Sequence, residues 1–267
     1  MVAKSSHLHI HFSHLGEGPP VVLLHGLFGM GGNLGALARS LQDEYSVYSL
    51  DLPNHGRSDW LEQSTLRRLA SAVADWMDAE SLGAAAFVGH SLGGKVAMEM
   101  ALSEGDRVAA LVVADIAPVA YPPHHDKVFD ALDAVQAADC RSRAEAAELM
   151  SQYLQEEGVI QFLLMSLQRG TNGRYAWRFN LEGIKRDYGM VRAEPDVDQA
   201  YPGPTLFVKG GDSDYILPEH RPRVVSLFPS AEMKVMPGCG HWLHAQQPVL
   251  FNSIVRRFLL RAYSGGE

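Results

Sequence analysis

The sequence predicts an α/β fold, in which a mostly parallel sheet with helices on both faces carries an inserted helical cap. Over residues 1–117, short apolar runs alternate with segments of helical periodicity, which is the pattern of a parallel sheet covered on both sides. Over residues 118–202 the pattern is helical and is flanked by prolines, and over 203–267 the alternation resumes. We therefore expect one α/β core, 1–117 and 203–267, with the cap at 118–202.

The expected strands are short and differ in how they are patterned. Residues 7–14 alternate with period two and predict an edge strand with one apolar face. Residues 21–24 are continuously apolar, which predicts a strand buried on both faces. The other strands are expected at 47–50, 85–88, 108–116, 205–208 and 232–236.

Helical periodicity fills the intervals between these strands. Residues 64–82 place their large apolar side chains on one side of a helix. Further core helices are expected at 34–41, 92–102, 218–228 and 248–263. Within the insertion, helices are expected at 126–138, 143–156 and 159–168, followed by an irregular stretch.

Composition and charge exclude several classes of function. The formal net charge of -8 argues against nucleic acid or an anionic membrane as the main partner. The sequence has no apolar run of membrane-spanning length and no signal-peptide pattern. Its two cysteines are far apart, as in proteins of a reducing compartment. We expect a cytoplasmic protein without a membrane span, either a monomer or a dimer.

The sharpest chemical signal is a G-x-S-x-G pattern centred on Ser91. It follows an expected strand and opens an expected helix, which is the context in which the pattern marks a serine nucleophile. The glycines let strand and helix approach closely, so that the serine hydroxyl stands out at the edge of the sheet. The backbone N–H of Leu92 is then free to donate to an oxyanion. A glycine-rich turn with an incidental serine is the alternative interpretation.

A second glycine-rich turn, residues 25–29, directly follows the buried strand 21–24. The backbone N–H of Leu27 is expected to be the second oxyanion donor. One such donor is typically worth about 2.7–4 kcal/mol of transition-state stabilisation. A plain turn without a catalytic role is the alternative here.

The base must be one of twelve histidines, and His241 is the favoured one. It lies in a glycine-containing loop just after the last expected strand, which places it at the same sheet edge as Ser91. Three aspartates are candidates for the acid that orients it. Asp115 ends the strand 108–116, whereas Asp212 and Asp214 follow the strand 205–208. Any of these gives the chain order of nucleophile, acid and histidine.

Several of these segments together resemble the α/β-hydrolase superfamily. More narrowly, the chain is similar to the YbfF-type bacterial esterases and the ABHD11-type hydrolases. The segments are residues 25–29 (HGLFG), 51–58 (DLPNHGRS), 89–95 (GHSLGGK), 115–118 (DIAP), 240–242 (GHW) and, in the insertion, 177–181 (WRFNL). This resemblance favours Asp115 as the triad acid. Asp214 stands where many other α/β-hydrolases keep their acid, and it remains the alternative.

The sequence therefore predicts a serine hydrolase that cleaves carboxylic esters or thioesters of short to medium acyl chains, with acyl-coenzyme A among the candidate substrates. Ser91, Asp115 and His241 form the expected triad. Residues of the same loops are expected to line the substrate pocket, namely His25, Phe28, His90 and Trp242. No metal or organic cofactor is required. The alternatives are a cofactor-free perhydrolase, a carbon–carbon bond hydrolase, or a non-catalytic receptor for a small ligand.

Overall fold

The structure is a computed structural model that describes residues 8–171, 173–197 and 199–264. In these ranges the chain forms one large sheet, one small sheet and ten α-helices. The expected α/β architecture, a mostly parallel sheet between layers of helices, is confirmed. Within the same ranges, no helix combines the length and apolar character needed to cross a bilayer.

The large sheet contains seven strands among the described residues, in the order β1-β3-β2-β4-β5-β8-β9. Every neighbouring pair in it is parallel except β1 and β3, which are antiparallel. The carboxyl ends of the parallel strands therefore meet along one edge, where open α/β sheets bind their ligands. The strands are β1 (Phe12–Leu15), β2 (Pro20–Leu24), β3 (Ser46–Leu50), β4 (Ala85–His90), β5 (Val108–Ala114), β8 (Thr205–Gly210) and β9 (Ala231–Met236).

Helices pack on both faces of this sheet because its central strands are apolar on both sides. In β2, for example, Val22 and Leu24 lie in the core of one face, and Val21 and Leu23 lie in the core of the other. All four side chains are fully buried. The helices of the core are α1 (Gly35–Leu41), α2 (Leu66–Ala79), α3 (Leu92–Ser103), α8 (Arg221–Leu227), α9 (Leu243–Gln246) and α10 (Pro248–Ser264).

The chain between β5 and β8 forms a separate layer with a small core of its own. It contains four helices and a two-stranded antiparallel sheet. Phe28, from the loop after β2, joins this second core and packs against Phe129 and Phe179. The elements are α4 (Asp126–Ala138), α5 (Arg143–Met150), α6 (Glu157–Met165), β6 (Leu167–Arg169), β7 (Tyr175–Trp177) and α7 (Leu181–Val191).

Both ends of this layer are fastened to the core helix α3 by one side chain. Lys95 is 2% exposed, and its Nζ donates to the carbonyl oxygens of Val119, 2.7 Å away, and Ala193, 2.6 Å away. Nζ also lies 5.0 Å from the centre of the Tyr121 ring. Burial lowers the pKa of Lys95 to about 7.

The structure corrects two details of the expected elements. The edge strand expected over 7–14 is shorter, since β1 begins at Phe12, and residue 7 lies outside the described residues. The stretch after the third helix of the insertion is not irregular, because it forms the β6–β7 sheet and α7. Asn180 caps that helix by accepting a hydrogen bond from Gly183 N at 3.0 Å.

Candidate active site

Ser91 lies on a sharp turn between β4 and α3. Its φ is 52°, a conformation that is uncommon for a residue with a side chain. Two neighbouring glycines make this turn sterically feasible. A Cβ at Gly89 would lie 2.2 Å from the carbonyl oxygen of Gly93, and a Cβ at Gly93 would lie 2.2 Å from that of Leu24. The turn therefore requires glycine at both positions.

Asp115 and His241 meet at the same edge of the sheet. Asp115 directly follows β5, is fully buried, and also has a positive φ of 52°. Its Oδ2 lies 2.9 Å from Nδ1 of His241, which is in the loop after β9. A carboxylate only accepts hydrogen bonds, so Nδ1 carries the proton. Nε2 of His241 is then the basic nitrogen of the ring.

Two further donors hold the Asp115 carboxylate in place. Gly210 N, at the end of β8, donates to Oδ1 at 2.9 Å, and the Ser213 hydroxyl donates to Oδ2. The two other candidate acids, Asp212 and Asp214, are exposed on the same loop. Among the described residues, the carboxylate bonded to His241 is that of Asp115.

The ring of His241 is fixed from one face by an aromatic side chain. Tyr215 stacks on it with 3.8 Å between ring centres and 16° between ring planes. The Tyr215 hydroxyl in turn lies 2.6 Å from Nε2 of His124, a residue of the layer between β5 and β8. Neither the Ser91 hydroxyl nor Nε2 of His241 has a hydrogen-bond partner among the residues described, and both residues border one cavity.

Two backbone N–H groups near Ser91 are free to act as donors. Leu92 is the first residue of α3, and helix geometry leaves its N–H without a partner inside the helix. In the turn after β2, Phe28 N donates to Nε2 of His55 at 3.2 Å and Gly29 N donates to the carbonyl oxygen of Gly26. The N–H of Leu27 is not used in this way within the described chain. The two free donors are the pair expected from the sequence.

His25 was expected to line the pocket, and the structure places it elsewhere. It is buried behind the turn, with Nδ1 donating to the carbonyl oxygen of Gly26 at 2.8 Å and Nε2 accepting from Leu52 N at 2.9 Å. Burial lowers the pKa of His25, and it lowers that of His55 to about 3. Both rings are therefore neutral at pH 7, as acceptors of backbone N–H bonds must be. His25 braces the turn that carries Leu27.

His90 borders the cavity, yet its ring is turned to a neighbouring loop. Its Nε2 donates to the carbonyl oxygen of His241 at 2.8 Å, and its ring lies 4.4 Å from that of His244. Burial holds the pKa of His90 well below the ordinary histidine value. His90 therefore supports the loop of His241 as a neutral donor.

The cavity in front of Ser91 has a volume of about 590 Å³, within the usual range for small-molecule sites. Two further predicted pocket residues, Phe28 and Trp242, lie in its wall together with His90. The layer between β5 and β8 supplies the facing wall, including Val159 and Phe162. Sequence reasoning missed Ser213 and Tyr215, because a hydroxyl and a ring in a loop carry no pattern that points to a distant histidine.

A model described as the alpha/beta hydrolase family matches residues 21–254. Esterase YbfF of Escherichia coli strain K12 is 39% identical over 241 residues, which cover 90% of this chain and 92% of that protein. The sn-1-specific diacylglycerol lipase ABHD11 of Danio rerio is 36% identical over 256 residues, covering 93% of this chain and 80% of the lipase.

One solved structure is also similar to this chain over almost its whole length. An esterase from a marine microorganism superimposes with a TM-score of 0.91 at 34% sequence identity. The match covers 94% of this chain and 99% of the esterase. The likeness therefore extends over the sheet, its helices and the layer between β5 and β8.

Proposed function

This chain belongs to the alpha/beta hydrolase family, and we propose that it hydrolyses carboxylic esters and thioesters through an acyl-enzyme on Ser91. It is a carboxylic ester hydrolase, as its esterase and lipase relatives are by name. The observation that carries the mechanism is the 2.9 Å contact between His241 Nδ1 and Asp115, which leaves Nε2 as the basic nitrogen of a ring that borders the cavity.

In the proposed reaction, the Ser91 hydroxyl attacks the acyl carbonyl while His241 Nε2 takes its proton. The tetrahedral oxyanion accepts hydrogen bonds from the N–H groups of Leu27 and Leu92. His241 then donates the proton to the leaving alcohol or thiol, and a water molecule, activated by the same nitrogen, releases the acid. Asp115 holds the ring in the required tautomer and stabilises its protonated form.

We assign the layer between β5 and β8 as a cap over this site. It contributes one wall of the cavity, and its residue His124 reaches the Tyr215 ring that stacks on His241. A cap of this kind limits the access of water, and we propose that it also limits the size of the acyl group. We propose for this cap the bounds expected from the sequence, residues 118–202. The proposal also places the enzyme in the cytoplasm, because Cys140 and Cys239 are both buried free thiols.

The test is Ser91→Ala, assayed on p-nitrophenyl esters and with a fluorophosphonate probe. We expect hydrolysis and labelling to disappear while the thermal unfolding temperature is retained, since alanine fits the same turn. Ser103→Ala, at the exposed end of the same helix α3, is the matched control and should keep both activities. Turnover by the Ser91 variant would refute the acyl-enzyme mechanism.

A further inference from the structure

Two spaces of very different size meet at Ser91. The first is the 590 Å³ cavity, which His241 and Trp242 border. The second is a small pocket of about 40 Å³, which Leu92 and Ile116 border and His241 does not. The two spaces are neighbours, because Leu27, His124, His125 and Tyr215 also border both. Ser91 itself belongs to the walls of both. A substrate whose carbonyl carbon sits at Ser91 must therefore divide between a wide space and a narrow one.

We propose that the small pocket receives the acyl group and the wide cavity receives the alcohol or thiol. The enzyme is then selective for esters and thioesters that combine a short acyl chain with a bulky leaving group. This assignment rests on the proposed acyl-enzyme at Ser91.

The position of the base decides which part of the substrate enters which space. The leaving alcohol or thiol takes its proton from Nε2 of His241, so its oxygen or sulfur must lie within hydrogen-bond reach of that ring. His241 borders the wide cavity. The leaving group therefore extends into the wide cavity, and the acyl chain, on the opposite side of the carbonyl carbon, points to the small pocket.

The walls of the small pocket suit a short hydrocarbon chain. Four of its twelve lining residues are aliphatic, namely Leu27, Leu92, Ile116 and Val191, and the others are polar, charged or aromatic. Leu27 and Leu92 are also the residues whose N–H groups face the oxyanion in the proposed reaction. A chain anchored by that oxyanion is thus directed along these side chains. Each methylene that it buries there should improve kcat/KM by roughly fourfold until the space is full.

The volume sets the limit on chain length. A cavity needs roughly 10–15 Å³ in this measure to hold one water molecule, so 40 Å³ holds about three groups of that size. Three carbons beyond the carbonyl correspond to a butanoyl chain. Lys95 and Tyr121 also border this pocket, and both are held by hydrogen bonds.

The wide cavity has the opposite character. At about 590 Å³ it accepts a leaving group of many atoms, and its wall mixes apolar side chains such as Phe162 with polar ones such as Gln155 and Gln246. Such a wall suits a large polar alcohol or thiol better than a fatty acyl chain. The two spaces therefore predict that the enzyme tolerates a large alcohol or thiol group but only a small acyl group.

The experiment measures kcat/KM for p-nitrophenyl esters with acyl chains of two to ten carbons. We expect the wild type to be most active at two to four carbons and to lose at least tenfold by eight carbons. Val191→Ala removes two methyl carbons from the small pocket and should move the optimum to longer chains by one or two carbons. Ile116→Val serves as a second enlarging variant if the first is unstable.

Val159→Ala, in the wall of the wide cavity, is the matched control. It should leave the chain-length optimum in place while changing KM for an acetyl thioester of a bulky thiol. Three results would overturn the assignment of the two spaces and leave the Ser91 mechanism intact. The first two are a wild-type optimum at eight or more carbons and a rate that does not depend on chain length. The third is an optimum that Val159→Ala shifts and neither small-pocket variant does. A panel in which no ester is cleaved would instead overturn the proposed function, and this inference with it.

Discussion

Replacement of Asp115 by asparagine tests the proposed role of the acid most directly. In the structure, Oδ1 of Asp115 accepts from Gly210 N and Oδ2 accepts from His241 Nδ1 and the Ser213 hydroxyl. In the variant, the amide oxygen can still accept from Gly210, which turns the amide NH₂ toward His241. Nδ1 of His241 must then become an acceptor, and the ring proton moves to Nε2. The nitrogen expected to take the Ser91 proton is thereby blocked.

The expected effect is large because the exchange reverses the tautomer while the geometry is kept. The same change in a serine protease triad lowers kcat by about 10⁴-fold. Four powers of ten, at about 1.36 kcal/mol each, correspond to about 5.4 kcal/mol of transition-state stabilisation. By contrast, Asp214→Asn should stay within about threefold of the wild type, because that carboxylate is exposed and makes no hydrogen bond with His241 in the described chain.

The assay is kcat/KM on p-nitrophenyl acetate for the wild type and both variants at one pH near 8. Fluorophosphonate labelling of Ser91 should slow in parallel with hydrolysis in Asp115→Asn. Thermal unfolding of each variant separates a loss of catalysis from a loss of structure. If Asp115→Asn hydrolyses ester within tenfold of the wild-type rate, or if Asp214→Asn is the slower variant, the assignment of the acid is wrong.

Two further predictions concern stability. Gly93→Ala should lower the unfolding temperature by roughly 6–12 °C, which corresponds to about 3 kcal/mol of overpacking, because the new Cβ would clash with the Leu24 carbonyl oxygen. Gly32→Ala is the control, since its Cβ would meet open space. Equal unfolding temperatures for the two variants would contradict the steric argument. Burial raises the pKa of Glu99, which is 0% exposed, so wild-type stability should fall as pH rises from about 4.5 through that raised pKa. Glu99→Gln should therefore have a higher unfolding temperature than the wild type at pH 7, and this difference should disappear below pH 4.5. An unfolding temperature below that of the wild type at pH 7 would contradict the argument from burial of the Glu99 carboxylate.

The core of the fold was predictable because its signals are local. A short and continuously apolar run such as β2 is typical of a strand in the middle of a parallel sheet, and the G-x-S-x-G turn fixes one strand–helix junction. Parallel strands then bring everything that follows their carboxyl ends to one edge. This is why Ser91 and His241 could be selected from the sequence. The same argument made Asp115, Asp212 and Asp214 equal candidates for the acid, and the family resemblance favoured Asp115. The catalytic roles of these residues remain predictions for the variants above to test.

The features that were missed depend on contacts between distant parts of the chain. The placement of His25 as a brace instead of a pocket residue depends on its bond with Leu52 N, across the sheet edge. The stacking of Tyr215 on His241 joins two loops that follow different strands. The β6–β7 sheet has strands of three residues, too short for a periodic pattern. Patterns within a short stretch of sequence do not indicate such pairings.

The fastening of the cap at Lys95 has a consequence for how this enzyme can be altered. Because Val119 and Ala193 are held by the same ammonium group, the chain leaves the core and returns to it at almost one point. Further contacts join the chain between those residues to the core, among them Ser166 with the carbonyl oxygen of Phe28 and Asp187 with Ser64 N. An exchange of this layer for another would therefore have to keep these contacts and the one with Tyr215 if the catalytic edge of the sheet is to stay unchanged.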